Sequence, residues 1–267
     1  MRIKKGDEWK AAFSTPKRSF EPMVMFFGLT NSPTTFQTMM NDLLRDLVVE
    51  EKVAVFIDDV IVATETEEGH DEIVEEVLRR LEENDLFVKP EKCIWKVREV
   101  RFLGVIIREN GVRMEKEKVQ RVIKWPVPKS VKDVQKFLGL ANYYRWFVKN
   151  FAKITRLLHE MTRKENKWSW RERQQKAFEE LKKRFTTEPV LVTPDLDKEM
   201  RVEADVSDFA MGGVLSMKCE DEKWRLVTYI PKLLNEAERN YEIHDKEMLV
   251  IIQCLEAWRY FLEGAKD

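Results

Sequence analysis

Cysteine is scarce in this chain and badly placed for bonding. Cys93, Cys219 and Cys254 are the only three among 267 residues. Their odd number and wide spacing exclude a disulfide framework and a closely spaced zinc site. That usage points to a reducing, intracellular setting, with nothing to choose between cytoplasm and nucleus. Apolar runs are short as well. None approaches the ~20 residues that a membrane-crossing helix needs, so no membrane partner is expected. The opening stretch, Met1-Arg2-Ile3-Lys4-Lys5-Gly6, has no apolar segment of the kind a secretory leader carries. No internal repeat and no low-complexity tract occurs. Net charge is nearly absent too, at −1. What is present is a heavily charged globular composition, 43% hydrophobic and 36% charged, long enough for one to three domains.

The small total charge hides a strong segregation. Residues 89–184 hold 27 Lys and Arg against 11 Asp and Glu. Residues 1–88 hold 10 against 19, and residues 185–267 hold 10 against 18. A basic middle between acidic ends suits phosphate-backbone contact at the centre and metal-binding carboxylates at the flanks. A solvated helical surface rich in Lys and Arg has the same counts, so charge alone leaves both readings open.

The first 25 residues read as short strands and turns, with Pro16-Lys17-Arg18-Ser19 as a turn. Asn31-Ser32-Pro33 reads as a cap followed by proline at a helix start. Phe36, Met39, Met40, Leu43, Leu44 and Leu47 then recur at helical spacing. Glu67–Glu83 reads as an amphipathic helix with Ile73, Val77, Leu78 and Leu81 on one face. Val100–Ile107 reads as one strand, turned at Glu109-Asn110-Gly111. Pro126 and Pro128 mark a linker, and helices are expected over 131–142, 151–161 and 171–184. Aromatics crowd this stretch. Most fit a helix-packing core, and a minority between Lys and Arg suit base stacking. Glu188-Pro189 and Pro194-Asp195 open a third region, with strands expected over 200–204, 209–217 and 224–230 and a largely helical 236–262.

One segment bears chemistry directly. In Val53-Ala54-Val55-Phe56-Ile57-Asp58-Asp59-Val60-Ile61-Val62-Ala63, two β-prone runs flank adjacent carboxylates, which reads as a tight hairpin with acid at its turn. Two such carboxylates repel unless a cation lies between them and a partner. Magnesium, a hard cation that prefers carboxylate and phosphate oxygens, fills that role. Asp is also common in turns for purely local reasons, so the pair alone does not establish a metal site.

The ordered series of motifs adds a family. Met25-Phe26-Phe27-Gly28-Leu29-Thr30-Asn31-Ser32-Pro33-Thr34-Thr35-Phe36-Gln37, followed by Phe56-Ile57-Asp58-Asp59, resembles motifs B and C of a reverse transcriptase. The strongest resemblance is to the gypsy-type LTR retrotransposon polyprotein. It continues through Phe87-Val88-Lys89-Pro90-Glu91-Lys92-Cys93, through Phe102-Leu103-Gly104-Val105-Ile106, and through the stretch from Phe137 to Phe147. Val202-Glu203-Ala204-Asp205-Val206-Ser207-Asp208 is similar to the opening strand of an attached RNase H domain, and Asn240 to Leu249 to that domain's first long helix.

The resemblance implies an α+β fold in three parts. A palm of antiparallel sheet and helices would occupy 1–112. A mainly helical thumb/connection would occupy 113–185, and the N-terminal part of a truncated RNase H-like α/β domain 186–267. It implies an RNA-directed DNA polymerase with RNase H activity, using Mg²⁺ or Mn²⁺ in two-metal nucleotidyl transfer. Asp58 and Asp59, with Asp205 and Glu247, would be the catalytic and metal-binding acids. Phe27, Gly28, Asn31, Ser32, Pro33 and Gln37 would line the nucleotide or template pocket. Phe102, Leu103 and Gly104 would form the primer grip, with Lys89 or Lys92 as candidate general acid. Asp208 reads as a turn acid, His244 as a capping or solvent-facing residue and Lys246 as surface. The implied partners are RNA template, DNA primer, RNA–DNA hybrid, deoxynucleoside triphosphates and further polyprotein segments.

The family pattern also has a palm Asp that would precede this sequence and an RNase H acid that would follow it. Weak or absent activity of the isolated chain is therefore expected. An excerpt of a polyprotein and an eroded reading frame both fit that pattern. The alternative role is a non-catalytic nucleic-acid-binding remnant that uses the basic segment 89–184.

Overall fold

The computed structural model describes residues 1–187 and 189–263. Glu188 of the second proline punctuation and residues 264–267 lie outside the described residues. The chain divides into two compact units, one ending at Lys96 and one beginning at Val97.

The first unit opens with a 3-10 turn at Glu8–Ala11 and a minimal hairpin, β1 (Phe13–Ser14) and β2 (Ser19–Phe20). The Thr15 N–H bonds to Arg18 O across the expected turn. Helix α1 (Ser32–Leu43) carries Pro33 in its first turn, where a missing N–H costs nothing. The expected side-chain cap from Asn31 is not made. Asn31 already has helical backbone angles, so its carbonyl instead accepts both the N–H and the hydroxyl of Thr35, at 3.0 and 2.8 Å. Then follow α2 (Arg45–Val49), the hairpin strands β3 (Val53–Phe56) and β4 (Asp59–Val62), and α3 (Glu67–Glu83). Thr66 caps α3 through its hydroxyl, which accepts the Gly69 N–H at 3.1 Å.

Met40 of α1, Leu44 at its C-terminal end, Leu47 of α2, and Val77 and Leu81 of α3 come together over Val53 and form the unit's buried core. Arg80 ties α3 to α2: its guanidinium pairs with Asp46 at 2.5 Å and with Glu76 at 2.6 Å. Arg79 first, then Arg80, hold the Glu76 carboxyl down at about 2, and Arg80 holds Asp46 well below the usual carboxylate range.

The second unit begins with a three-stranded antiparallel meander, β5 (Glu99–Phe102), β6 (Val105–Arg108) and β7 (Gly111–Met114). The single strand expected over Val100–Ile107 is therefore two. Leu103 and Gly104 both adopt left-handed φ, 49° and 80°, and reverse the chain. Four helices follow: α4 (Lys116–Ile123), α5 (Val131–Tyr143), α6 (Phe151–Met161) and α7 (Glu172–Thr186). Ser130 caps α5, and Gln174 Oε1 accepts the Arg171 N–H at 3.3 Å at the start of α7. Phe137, Leu138, Ala141, Tyr144, Phe147, Phe178, Leu181 and Phe185 pack into one buried cluster. Five aromatics of the basic segment, Phe137, Tyr144, Phe147, Phe151 and Phe178, are consumed there, with Trp125 and Trp170 packed against them.

Val112 and Leu191 exchange two backbone hydrogen bonds, at 2.7 and 3.0 Å. The helical stretch thus leaves β7 and returns to its side. Gly111 is required at this crossing, because a Cβ there would lie 2.0 Å from Leu191 O.

Beyond it lies a second antiparallel sheet, β8 (Met200–Val206), β9 (Ala210–Lys218) and β10 (Trp224–Leu233), ordered β10-β9-β8. Helices α8 (Glu236–Arg239), α9 (Ile243–Ala257) and α10 (Arg259–Leu262) follow, and α9 packs on β8 and β9. Cys254 of α9 is buried in this contact, which pushes its thiol up to about 11. Gly213 makes room for it: a Cβ there would lie 2.4 Å from the sulfur. Lys246, expected on the surface, is only 8% exposed. Among the described residues no helix is long and apolar enough to cross a membrane.

Candidate active site

The acidic pair sits at the tip of the β3–β4 hairpin. Register runs Val53↔Val62, Ala54↔Ile61, Val55↔Val60 and Phe56↔Asp59, which leaves Ile57 and Asp58 as a two-residue turn. Positive φ falls on Ile57, at 55°, the first turn position. Glycine normally occupies that position in a two-residue hairpin. A β-branched residue there is strained, by about 1–3 kcal/mol, and persists only where its surroundings over-determine it.

The surroundings do so through Gln37. Its Oε1 accepts the Ile57 N–H at 2.5 Å. Its Nε2 donates to Val55 O at 3.1 Å and to Asn41 Oδ1 at 2.8 Å. One carboxamide on α1 therefore holds the backbone on both sides of Phe56. Gln37 is half-buried, so these bonds are partly shielded from water. The two carboxylates of Asp58 and Asp59 remain exposed at the tip.

This donor set suits a hard divalent cation. Magnesium is commonly held by one or two carboxylates, with waters and substrate phosphate oxygens completing its shell. Among the described residues no cluster of three or more acidic, His or Cys side chains forms a ready-made metal cage. The pair at the hairpin tip would thus be a metal platform open on the substrate side.

The segment before α1 is open to solvent. Gly28 has φ +103°, a conformation that glycine tolerates at no steric cost. Phe27 beside it is fully exposed, and Asn31 and Pro33 are exposed. Ser32 is half-buried and opens α1. Lys89 precedes and Lys92 ends a short 3-10 turn at Pro90–Lys92, and both are exposed. None of these residues shares the Gln37 network.

Phe102, Leu103 and Gly104 form the tip of the β5–β6 hairpin, again a two-residue turn. Two tyrosines that the motif reading left without a role hold it. The Tyr143 hydroxyl donates to Leu103 O, and the Tyr144 hydroxyl donates to Gly104 O at 3.0 Å. In the sheet that follows, Asp205 is the penultimate residue of β8 and pairs with Gly212. Glu247 lies in the second turn of α9, the helix packed on that strand. Both acids are exposed. Asp208 falls in the turn between β8 and β9. His244 lies in the first turn of α9, exposed.

Residues 1–107 match the reverse transcriptase (RNA-dependent DNA polymerase) family, and residues 170–267 match the RNase H-like domain found in reverse transcriptase. The chain thus resembles reverse transcriptases over its first part and their attached RNase H-like domain over its last. The Tf2-3 and Tf2-7 transposon polyproteins of Schizosaccharomyces pombe are each 36% identical to it over 264 residues. That alignment takes in 99% of this chain, and the chain spans about a fifth of the length of these relatives, 20%. Among solved structures, a foamy viral protease–reverse transcriptase in complex with an RNA/DNA hybrid has a TM-score of 0.80 at 24% identity, covering 99% of this chain and 35% of that one. A second foamy viral protease–reverse transcriptase, in complex with double-stranded DNA, has a TM-score of 0.81 at 24% identity, covering 98% and 46%. These likenesses establish the α+β fold.

Proposed function

We propose that this chain is part of an RNA-directed DNA polymerase with attached RNase H, encoded by a gypsy-type retrotransposon and acting inside the cell. Residues 1–112 are read as palm, 113–185 as thumb/connection and 186–267 as the RNase H-like domain. One observation carries the reading: two adjacent exposed carboxylates at a strained hairpin tip, braced from behind by Gln37, within a chain that resembles this family.

Asp58 and Asp59 would hold a divalent cation, Mg²⁺ or Mn²⁺, which would supply charge neutralisation at the triphosphate and a more acidic primer 3′-hydroxyl. In the reaction, the 3′-oxygen forms a bond to the α-phosphorus and the bond to pyrophosphate breaks. The rigid tip keeps both acids in place while this charge moves, which is positioning rather than covalent chemistry. Phe27, Gly28, Asn31, Ser32 and Pro33 border the incoming nucleotide. Gln37 reaches that pocket through the hairpin it holds. Lys89 or Lys92 supplies the proton to departing pyrophosphate. Phe102, Leu103 and Gly104 contact the primer strand. Asp205 and Glu247 serve the RNase H site in the same manner, with an RNA–DNA hybrid as substrate.

Primer extension on an RNA template with Mg²⁺ tests the reading. Asp58→Asn should lower the rate at least ~100-fold, as loss of one member of a cooperating set does. Extension unchanged in Asp58→Asn would sink the site, whereas extension absent in the folded chain would sink only the claim of activity for this chain alone, which is expected to be weak because the chain is incomplete. The excess of 27 basic over 11 acidic residues in 89–184 favours a second reading, a binding module without chemistry. That reading requires steeply salt-dependent binding of a duplex, unaffected by Asp58→Asn and Asp205→Asn.

A further inference from the structure

We propose that Tyr143 and Tyr144 are positioning residues that lock the Leu103–Gly104 turn to helix α5, so that the helix, and not the β5–β6 hairpin itself, sets where that turn lies. The inference rests on the reading of this turn as a primer-strand contact.

The turn does not hold itself well. Both central residues have positive φ, the pattern that favours Asn-Gly or Gly-Gly. Leucine at the first position is disfavoured, and the two strands it joins are only four residues each. Something outside the hairpin must select this conformation.

The end of α5 supplies it. Two consecutive tyrosines donate to two consecutive carbonyls, Tyr143 to Leu103 and Tyr144 to Gly104. Gly104 O also accepts the Glu115 N–H at 3.4 Å, at the start of α4. Tyr144 is anchored, being 2% exposed within the helical core. Its ring meets Tyr143 edge-on, with centroids 4.8 Å apart. Tyr143 in turn is held from behind, since Trp146 Nε1 donates to Tyr143 O at 3.0 Å. Space is tight on the turn side: a Cβ at Gly104 would lie 2.7 Å from the Tyr144 hydroxyl oxygen. A turn without side-chain support would need none of this. With it, any strand resting on Leu103 and Gly104 is registered against α5.

Tyr143→Phe and Tyr144→Phe remove one hydroxyl each and keep the rings. Two readouts follow in the full chain. First, amide exchange at residues 103–105 should quicken at least ~5-fold in each variant while the core of α5 stays protected. Second, fluorescence anisotropy should compare an RNA–DNA primer–template with a recessed 3′ end and a blunt duplex of the same length. The native chain should prefer the recessed end. The variants should lose that preference about 5-fold and keep their affinity for the blunt duplex, a split that general loosening would not produce. If Tyr144→Phe fails to fold, Tyr143→Phe, whose ring is half exposed, carries both readouts.

Phe102→Ala separates the inference from the reading beneath it. Loss of end preference in Phe102→Ala with no loss in either tyrosine variant overturns the positioning role alone. No preference in the native chain, or none lost in Phe102→Ala, overturns the primer-strand reading and this inference with it. Unchanged exchange at 103–105 in both tyrosine variants overturns the clasp directly.

Discussion

Two hairpin tips in this chain solve the same problem by different means. The β3–β4 tip puts a strained isoleucine beside two carboxylates. The β5–β6 tip puts a strained leucine beside a glycine. The first is braced by one carboxamide that both donates and accepts, gripping backbone on either side of Phe56. The second is braced by two hydroxyls that only donate to it. The acidic tip must stay free of protein cations if it is to bind a metal, so a neutral brace suits it. The other tip presents backbone carbonyls, which phenol donors can hold without adding charge. Strain in both is therefore paired with uncharged support from a helix of the same compact unit.

Substitutions can break the symmetry of that comparison. The largest change should come from Gly104→Ala. It combines a residue unsuited to φ +80° with a Cβ 2.7 Å from the Tyr144 hydroxyl oxygen, and should cost about 2–3 kcal/mol. Urea unfolding of the chain checks it, and Tyr144→Phe in the same chain should return part of the loss. Gln37→Leu comes next. It leaves the Ile57 N–H and Val55 O without their partner at a half-buried site, for about 1–2 kcal/mol. If extension activity is present, it should fall further than stability alone explains, because the acids lose their fixed position. Ile57→Gly should go the other way and relieve strain, with a gain of up to about 1 kcal/mol offset by a freer unfolded chain. An unchanged melting temperature combined with lower activity would indicate that the strain serves positioning.

The smallest effect concerns the scaffold behind the acidic tip. Arginine contacts lower the Asp46 and Glu76 carboxyls in the folded chain. A lowered folded-state value means stability that is present above the unfolded value and is lost as pH falls. For Glu76 that window runs from the ordinary 4.5 down to about 2. Melting temperatures of native chain and Arg80→Met should therefore converge as pH drops through this range. A constant gap would show that the ion pairs contribute nothing, as exposed pairs often do.

Much of the fold was legible because its signals are local. Helix α3 and helix α6 follow from apolar spacing, and the acidic hairpin from two β-prone runs around a turn. The break at Leu103–Gly104 was missed because β-prone residues on both sides of it, from Val100 to Ile107, read as a single strand. The glycine was the available signal, since an isolated glycine in a strand pattern marks a bend or a close approach. Lys246 was misplaced because a lysine beside acids in a helix start looks solvated, whereas the helix is apolar around most of its circumference and packs on the sheet. The acids of the candidate site were visible as residue types. Their braces were not, because Gln37 acts across 20 residues and the tyrosines across 40, and pairings at such separation leave no trace in local pattern.

The double hydrogen bond between Val112 and Leu191 has a consequence for chain architecture. It makes the four-helix stretch an excursion whose doorway is one residue pair wide. Its two ends are pinned side by side, which removes much of the freedom that so long a detour would otherwise have where it meets the sheet.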